Sequence, residues 1–132
     1  MKASESDAER VTILVVEDHA ATRRAVLTLV GTAFPRCQLL EAESAESALA
    51  LCESVAPALV IMDIALPGMN GIEATRRIKA LRAETLVVMH SSSDLPIYRE
   101  AAAAVGACAF VGKGRKSGEL VPVIARFLPR AA

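Results

Sequence analysis

The sequence predicts an α/β protein built on a parallel sheet. Five short apolar runs alternate with five segments of helical periodicity along 132 residues. Two of the runs, VTILVV (Val11 to Val16) and ALVIM (Ala58 to Met62), carry almost no polar side chains. Such runs suit strands covered on both faces, as in a parallel sheet sandwiched between helices. Strict alternation at this spacing implies right-handed βα crossovers with helices on both faces. Periodicity does not set the strand order.

The elements follow in order. After the first strand, Val26, Leu29, Val30 and Ala33 fall at i, i+3, i+4 and i+7, giving a helix over 20–34 that Pro35 ends. Cys37 to Ala42 is a weaker strand. Ser44 caps a second helix whose apolar face is Ala45, Ala48, Leu49 and Cys52. The third strand ends in Asp63, and Pro67-Gly68 is turn chemistry. Asn70 with Glu73 is spaced as a capping box for a helix reaching about Arg82. Leu86 to Met89 forms a fourth strand that runs into Ser91-Ser92-Ser93. A helix over 94–105 has Pro96 in its first turn and Gly106 at its C′ position. Ala107 to Val111 is the fifth strand. Leu120, Val123, Ile124, Phe127 and Leu128 make the last helical stripe, and Pro122 pushes its regular start toward Glu119.

Composition bounds the function. The length fits one domain at 11–128, between short tails at 1–10 and 129–132, and about two-thirds of the unfolded surface would be buried. Hydrophobic content of 53% with 23% charged residues excludes a disordered chain. Fifteen basic residues against fifteen acidic ones argue against direct binding of nucleic acid or an anionic membrane. Cys37, Cys52 and Cys108 form no CxxC and read as small hydrophobes rather than a disulfide or zinc framework. No apolar stretch reaches a membrane-spanning length of ~18 residues and no signal peptide is present, so a cytoplasmic location is expected. Six acids and no base lie between Arg36 and Arg76, while five bases and one acid occupy 113–130, so an acidic side could orient a partner.

The chemistry collects at strand ends. Ligands of doubly wound sheets bind outside the carboxyl ends of the strands. Glu17-Asp18 follows the first strand, Asp63 the third, Ser91 the fourth and Lys113 the fifth. Carboxylates brought within several ångströms repel by ~4 kcal/mol per close pair at an effective dielectric near 20. One lysine does not offset three of them. A hard divalent cation does, and an all-oxygen set points to Mg²⁺ rather than zinc. A carboxylate nucleophile, a metal, a hydroxyl and an ammonium are the equipment for forming an acyl phosphate.

These residues carry a resemblance. VEDH with Glu17-Asp18, LVIMDIALPGMNG around Asp63, VVMHS with Ser91, and GACAFVGK with Phe110 and Lys113 occur in order, each at a strand end. The chain resembles the receiver domains of bacterial response regulators from about Val11 to Leu128. It is most similar to receivers of the NarL/LuxR-like helix-turn-helix transcription regulators. The resemblance implies a flavodoxin-like, five-stranded sheet of order 2-1-3-4-5 with five helices. It implies that Asp63 accepts a phosphoryl group from a sensor histidine kinase or phosphotransfer protein. Asp18, Asp63 and the backbone carbonyl of Ala65 would hold Mg²⁺, with Glu17 helping through water. Lys113 and Ser91 would bind phosphoryl oxygens. Ser91 and an inward rotamer of Phe110 would remodel the face of the fourth helix, fifth strand and fifth helix, where a downstream protein or a second copy binds. Such a protein is a signalling switch rather than an enzyme, catalysing only its own phosphotransfer and dephosphorylation. Only 19 residues follow Lys113, so the chain reads as a single-domain regulator or the receiver part of a transcription regulator.

Departures from the family pattern are specific. Gly114 stands where many receivers carry a cis proline. Ala65 and Ser93 are small, which leaves water a comparatively open path to the phosphoryl group. His19 and His90 have no second histidine at metal spacing and read as structural. Competing readings are a phosphorylation-independent docking or dimerisation module and an aspartyl phosphatase. The intact five-residue set disfavours the first, and Ala65 stands where the second acid of a phosphatase DxD would be. A flavin site lacks its phosphate loop.

Overall fold

The computed structural model describes residues 10–129, so the expected tails fall almost wholly outside the described residues. Five strands form one parallel sheet: β1 (Thr12–Val16), β2 (Gln38–Ala42), β3 (Leu59–Met62), β4 (Leu86–Ser91) and β5 (Ala109–Gly112). Their order is β2-β1-β3-β4-β5. Five α-helices connect or follow them: α1 (Ala20–Ala33), α2 (Ala45–Ser54), α3 (Gly71–Leu81), α4 (Pro96–Ala104) and α5 (Leu120–Phe127). A 3₁₀ turn over Gly114–Glu119 leads into α5. This delays the helix to Leu120 and leaves Pro122 in its first turn, where its missing N–H costs nothing.

The pleat divides the interior into two apolar layers. Leu14 and Val16 of β1, Val60 and Met62 of β3, and Val87 and Met89 of β4 pack under α2, α3 and α4. Ile13 and Val15, Leu59 and Ile61, and Val88 and Val111 pack under α1 and α5 with Val26, Val30, Leu120 and Ile124. Every residue of β1 and β3 is buried, whereas the edge strand β2 is exposed at Gln38 and Glu41. Cys37 and Cys52 are buried and Cys108 half-buried; all three are free thiols.

Helix starts are largely local. The Ser44 hydroxyl accepts the Ser47 N–H at 3.1 Å, and Asn70 Oδ1 accepts the N–H groups of Ile72 and Glu73 at 2.9 and 3.0 Å. The capping box is only half realised. Glu73 turns to Arg76 and Arg77, whose guanidinium groups hold its exposed carboxyl down at about 2. Tyr98, which reads from sequence as a surface aromatic, is half-buried against the layer under α4.

Candidate phosphoryl-acceptor site

The sheet ladder continues past the ends of the strands and carries the acids with it. The Glu17 N–H donates to Ala42 O at 3.0 Å, and the Asp63 N–H donates to Val16 O at 3.1 Å. Across the sheet, Ser91 pairs in register with Gly112, and the Lys113 N–H donates to Ser91 O at 3.0 Å. Four chain segments therefore deliver Glu17, Asp63, Ser91 and Lys113 to one rim. Glu17, Asp63 and Ser91 are buried there, at 2%, 4% and 0% exposure.

Lys113 joins the two buried acids. Its Nζ donates to Glu17 Oε1 at 2.5 Å and lies 3.3 Å from Asp63 Oδ2. Burial alone would raise the Glu17 carboxyl, but the Lys113 ammonium and the His19 N–H hold it below its ordinary value. Asp63 is pushed the other way, up from its ordinary value, by burial and by the Glu17 charge, against the pull of Lys113. Burial opposes the Lys113 charge, yet hydrogen bonding to Glu17 and the field of Asp63 raise it above its usual value. The ammonium thus neutralises most of one carboxylate and part of the other.

Asp18 and Ala65 complete the expected set. Asp18 Oδ1 is buried without a hydrogen-bond partner among the described residues. Glu17, Asp18 and His19 place one ligand atom each within 4.8 Å of one another. An orphaned anionic oxygen in an oxygen-rich cluster fits a bound divalent cation. Asp63 stands outside that three-residue cluster; its Oδ1 accepts the Ala65 N–H at 3.4 Å, and Ala65 itself is exposed.

Ser91 and Phe110, the residues expected to switch, make contacts separate from those of the acids. The Ser91 hydroxyl accepts the Ser93 N–H at 3.1 Å. Phe110 is half-buried on β5 under Arg99 of α4, whose guanidinium carbon lies 4.7 Å from the ring centroid. Arg99 also donates to Asp94 Oδ1 at 2.6 Å. Gly114 has φ +78°, the left-handed conformation that glycine adopts freely, and no cis peptide bond occurs among the described residues.

Two contributors, Arg23 and Gly71, escaped the sequence reading, and a third, His90, reads from it only as structural. Arg23 of α1 donates to the Glu17 carbonyl at 2.8 Å and to Glu41 Oε1 at 2.7 Å, tying the acid-bearing turn to β2. Gly71 lets α3 start hard against the Asp63 backbone, since a Cβ there would stand 2.0 Å from Asp63 O. Its position directly after the Asn70 cap was a signal of helix start, not of this approach. His90 is buried beside Lys113, at the wall of a roughly 260 Å³ cavity that Thr22, Val26, Leu29 and Gly114 also line. Burial and the Lys113 charge hold its imidazole down at about 4.

Comparison with known proteins agrees with this fold. The family model of the response regulator receiver domain matches residues 13–125. The transcriptional activator protein ExaE of Pseudomonas putida is 34% identical over 88% of this chain and 54% of its own length. The nitrate/nitrite response regulator NarL of Escherichia coli is 33% identical over 67% of the chain and 41% of its own. The chain spans about half the length of these curated relatives. Among solved structures, a LuxR-family two-component response regulator from Aurantimonas superposes with a TM-score of 0.83 at 29% identity, covering 89% of this chain and 84% of the other. The chemotaxis protein CheY4 of Vibrio cholerae shares the fold, at a TM-score of 0.81, 22% identity and coverage of 90% and 99%. The chain belongs to the receiver domain family of two-component response regulators.

Proposed function

We propose that Asp63 is the phosphoryl acceptor of this receiver, with a sensor histidine kinase or phosphotransfer protein as donor. The observation that supports this most is the setting of its carboxylate, buried at the end of β3 with one oxygen 3.3 Å from the Lys113 ammonium. An Asp63 oxygen attacks the phosphorus in line; the bond from phosphorus to the donor atom breaks, and the donor keeps the electron pair. Lys113, released from part of its hold on Glu17, pairs with a phosphoryl oxygen. Ser91 turns its hydroxyl from the Ser93 N–H to another.

Glu17, Asp18, Asp63 and the Ala65 carbonyl are the groups that would hold Mg²⁺, and the buried, unpartnered Asp18 oxygen supports a cation there. Bound, that ion supplies charge neutralisation for the transferred group. Withdrawal of Ser91 from Ser93 and movement of Phe110 then alter the α4–β5–α5 face for a downstream protein or a second copy. The product is a changed surface rather than a released substrate, so the protein acts as a switch and not as an enzyme.

Among the described residues no helix is long and apolar enough to cross a membrane; a cytoplasmic setting is in keeping with membership of the response regulator receiver family. Transcriptional output is in keeping with the named activator among the relatives.

The test is acetyl phosphate with Mg²⁺ on wild type and Asp63→Asn, read by intact mass and size-exclusion chromatography. Gain of one phosphoryl group by wild type alone is expected. Equal gain by both proteins overturns the assignment, and gain by neither favours a phosphorylation-independent docking module. The small Ala65 and Ser93 also predict that Ala65→Arg or Ser93→Arg lengthens the phosphoryl half-life.

A further inference from the structure

The turn between β1 and α1 carries a nitrogen ligand that the phosphoryl chemistry leaves unused. We propose that His19 Nδ1 coordinates the divalent cation held by Glu17 and Asp18, shifting the site's preference from Mg²⁺ toward Mn²⁺ and later first-row ions. The proposal rests on reading these acids as a cation site, and names one more of its ligands.

The geometry is specific. His19 Nδ1 lies 3.4 Å from Glu17 Oε2 and 3.4 Å from Asp18 Oδ1. Neighbouring ligands on an octahedron with bonds of ~2.0–2.1 Å stand ~2.8–3.0 Å apart, so the nitrogen lies within about half an ångström of ligand–ligand spacing from each oxygen. Glu17 divides its two oxygens: Oε1 accepts from Lys113, and Oε2 faces the His19 side, accepting the His19 N–H at 3.1 Å. Asp18 Oδ1 is buried with no hydrogen-bond partner among the described residues, and His19 Nδ1 stands beside it. The imidazole is 76% exposed and makes no capping bond to α1. Its fold-level role is therefore small, and its inward turn is accounted for by the two oxygens.

The ligand type decides the ion. Mg²⁺ favours oxygen, and a nitrogen ligand moves a site's preference away from it along the first-row series, from Mn²⁺ toward the later ions for which imidazole is well suited. A histidine kept near the acids only as a counter-charge would be driven away when a cation enters. A histidine that ligates stays and donates its lone pair.

The experiment uses Mn²⁺ and Mg²⁺ on the full chain, comparing wild type, His19→Ala and Asp18→Asn. Pulsed EPR of the Mn²⁺ complex reads directly bound ¹⁴N, and competition titration reads the Mn²⁺:Mg²⁺ preference. Expected are ¹⁴N coupling in wild type, its loss in His19→Ala, and a fall in that preference on the order of tenfold. Mn²⁺ binding with no ¹⁴N coupling and an unchanged preference overturns the role of His19 while leaving the acidic site intact. Binding that is absent in wild type, or unaltered in Asp18→Asn, overturns the cation site and this proposal with it.

Discussion

The ammonium of Lys113 stands between two buried carboxylates, 2.5 Å from Glu17 Oε1 and 3.3 Å from Asp63 Oδ2. A cation so placed is the main restraint on their mutual repulsion. Removing one partner of a buried ion pair typically costs ~3–5 kcal/mol, because the charge left behind is uncompensated. Lys113→Ala is therefore expected to lose about that much stability in urea titrations at pH 7. The deficit should shrink as acid neutralises the carboxylates, and adding Asp63→Asn should restore part of it. A loss below ~1 kcal/mol, independent of pH, would contradict this.

Asp63 behaves oppositely. Burial and the Glu17 charge raise its folded-state pKa above the unfolded value, so its ionisation opposes folding. That opposition is absent below the unfolded pKa and grows as pH rises through the folded one. Asp63→Asn should melt higher than wild type at pH 7, and the two should converge in acid. Scanning calorimetry at both pH values reads the difference.

Gly71 makes a steric prediction. A methyl group at this position would meet the Asp63 carbonyl carbon at 2.8 Å as well as its oxygen. Both contacts are with backbone, so relief requires moving α3 or the acid. Gly71→Ala should cost ~3 kcal/mol or more and slow phosphoryl uptake from acetyl phosphate. Gly118→Ala, where a Cβ meets nothing within 4 Å, is the control.

His90 gives the fold a dependence on acid. Its imidazole titrates at about 4 in the fold against an ordinary 6.5, so the neutral form is the folded one. Stability is full above pH 6.5 and falls as pH drops toward 4, by on the order of 3 kcal/mol at most. Chemical denaturation of His90→Gln should show a flatter profile across that window. A profile parallel to wild type would assign the acid sensitivity elsewhere.

Arg99 over Phe110 is a smaller contact. Both Arg99 and Asp94 are partly solvated, and the cation–π pair at such a site contributes ~0.5–1 kcal/mol. Arg99→Ala should leave stability nearly unchanged while loosening the Phe110 ring, as ¹³C side-chain relaxation would reveal. Unaltered ring dynamics would remove Arg99 as a restraint.

The alternation of apolar runs with helical stripes carried most of the architecture. Runs such as Leu59–Met62 suit burial on both faces, and the helices given limits from sequence, α1, α3, α4 and α5, start and stop within two residues of them. Helix caps were half legible: Ser44 and Asn70 act as expected, but Glu73 found two arginines nearer than the Asn70 amide. Strand order came from family likeness, since no local pattern states which strands are neighbours, whereas the acid–lysine gathering followed from the places of these residues at strand ends. Arg23, Arg99 and Gly71 stayed hidden because their partners, Glu41, Phe110 and the Asp63 backbone, are set by tertiary placement. His90 reads as structural from sequence, and its burial bears that out.

The pairing of Ser91 with Gly112 acts as a ruler. Both neighbours of Lys113 in that register are fixed by a parallel ladder whose steps come in single residues, and each step reverses the side to which a group points. Slipping β5 by one residue would exchange Phe110 and Val111 between the two apolar layers and swing the ammonium to the far surface of the sheet. Rim and interior therefore hold the same register, and neither can be shifted without the other.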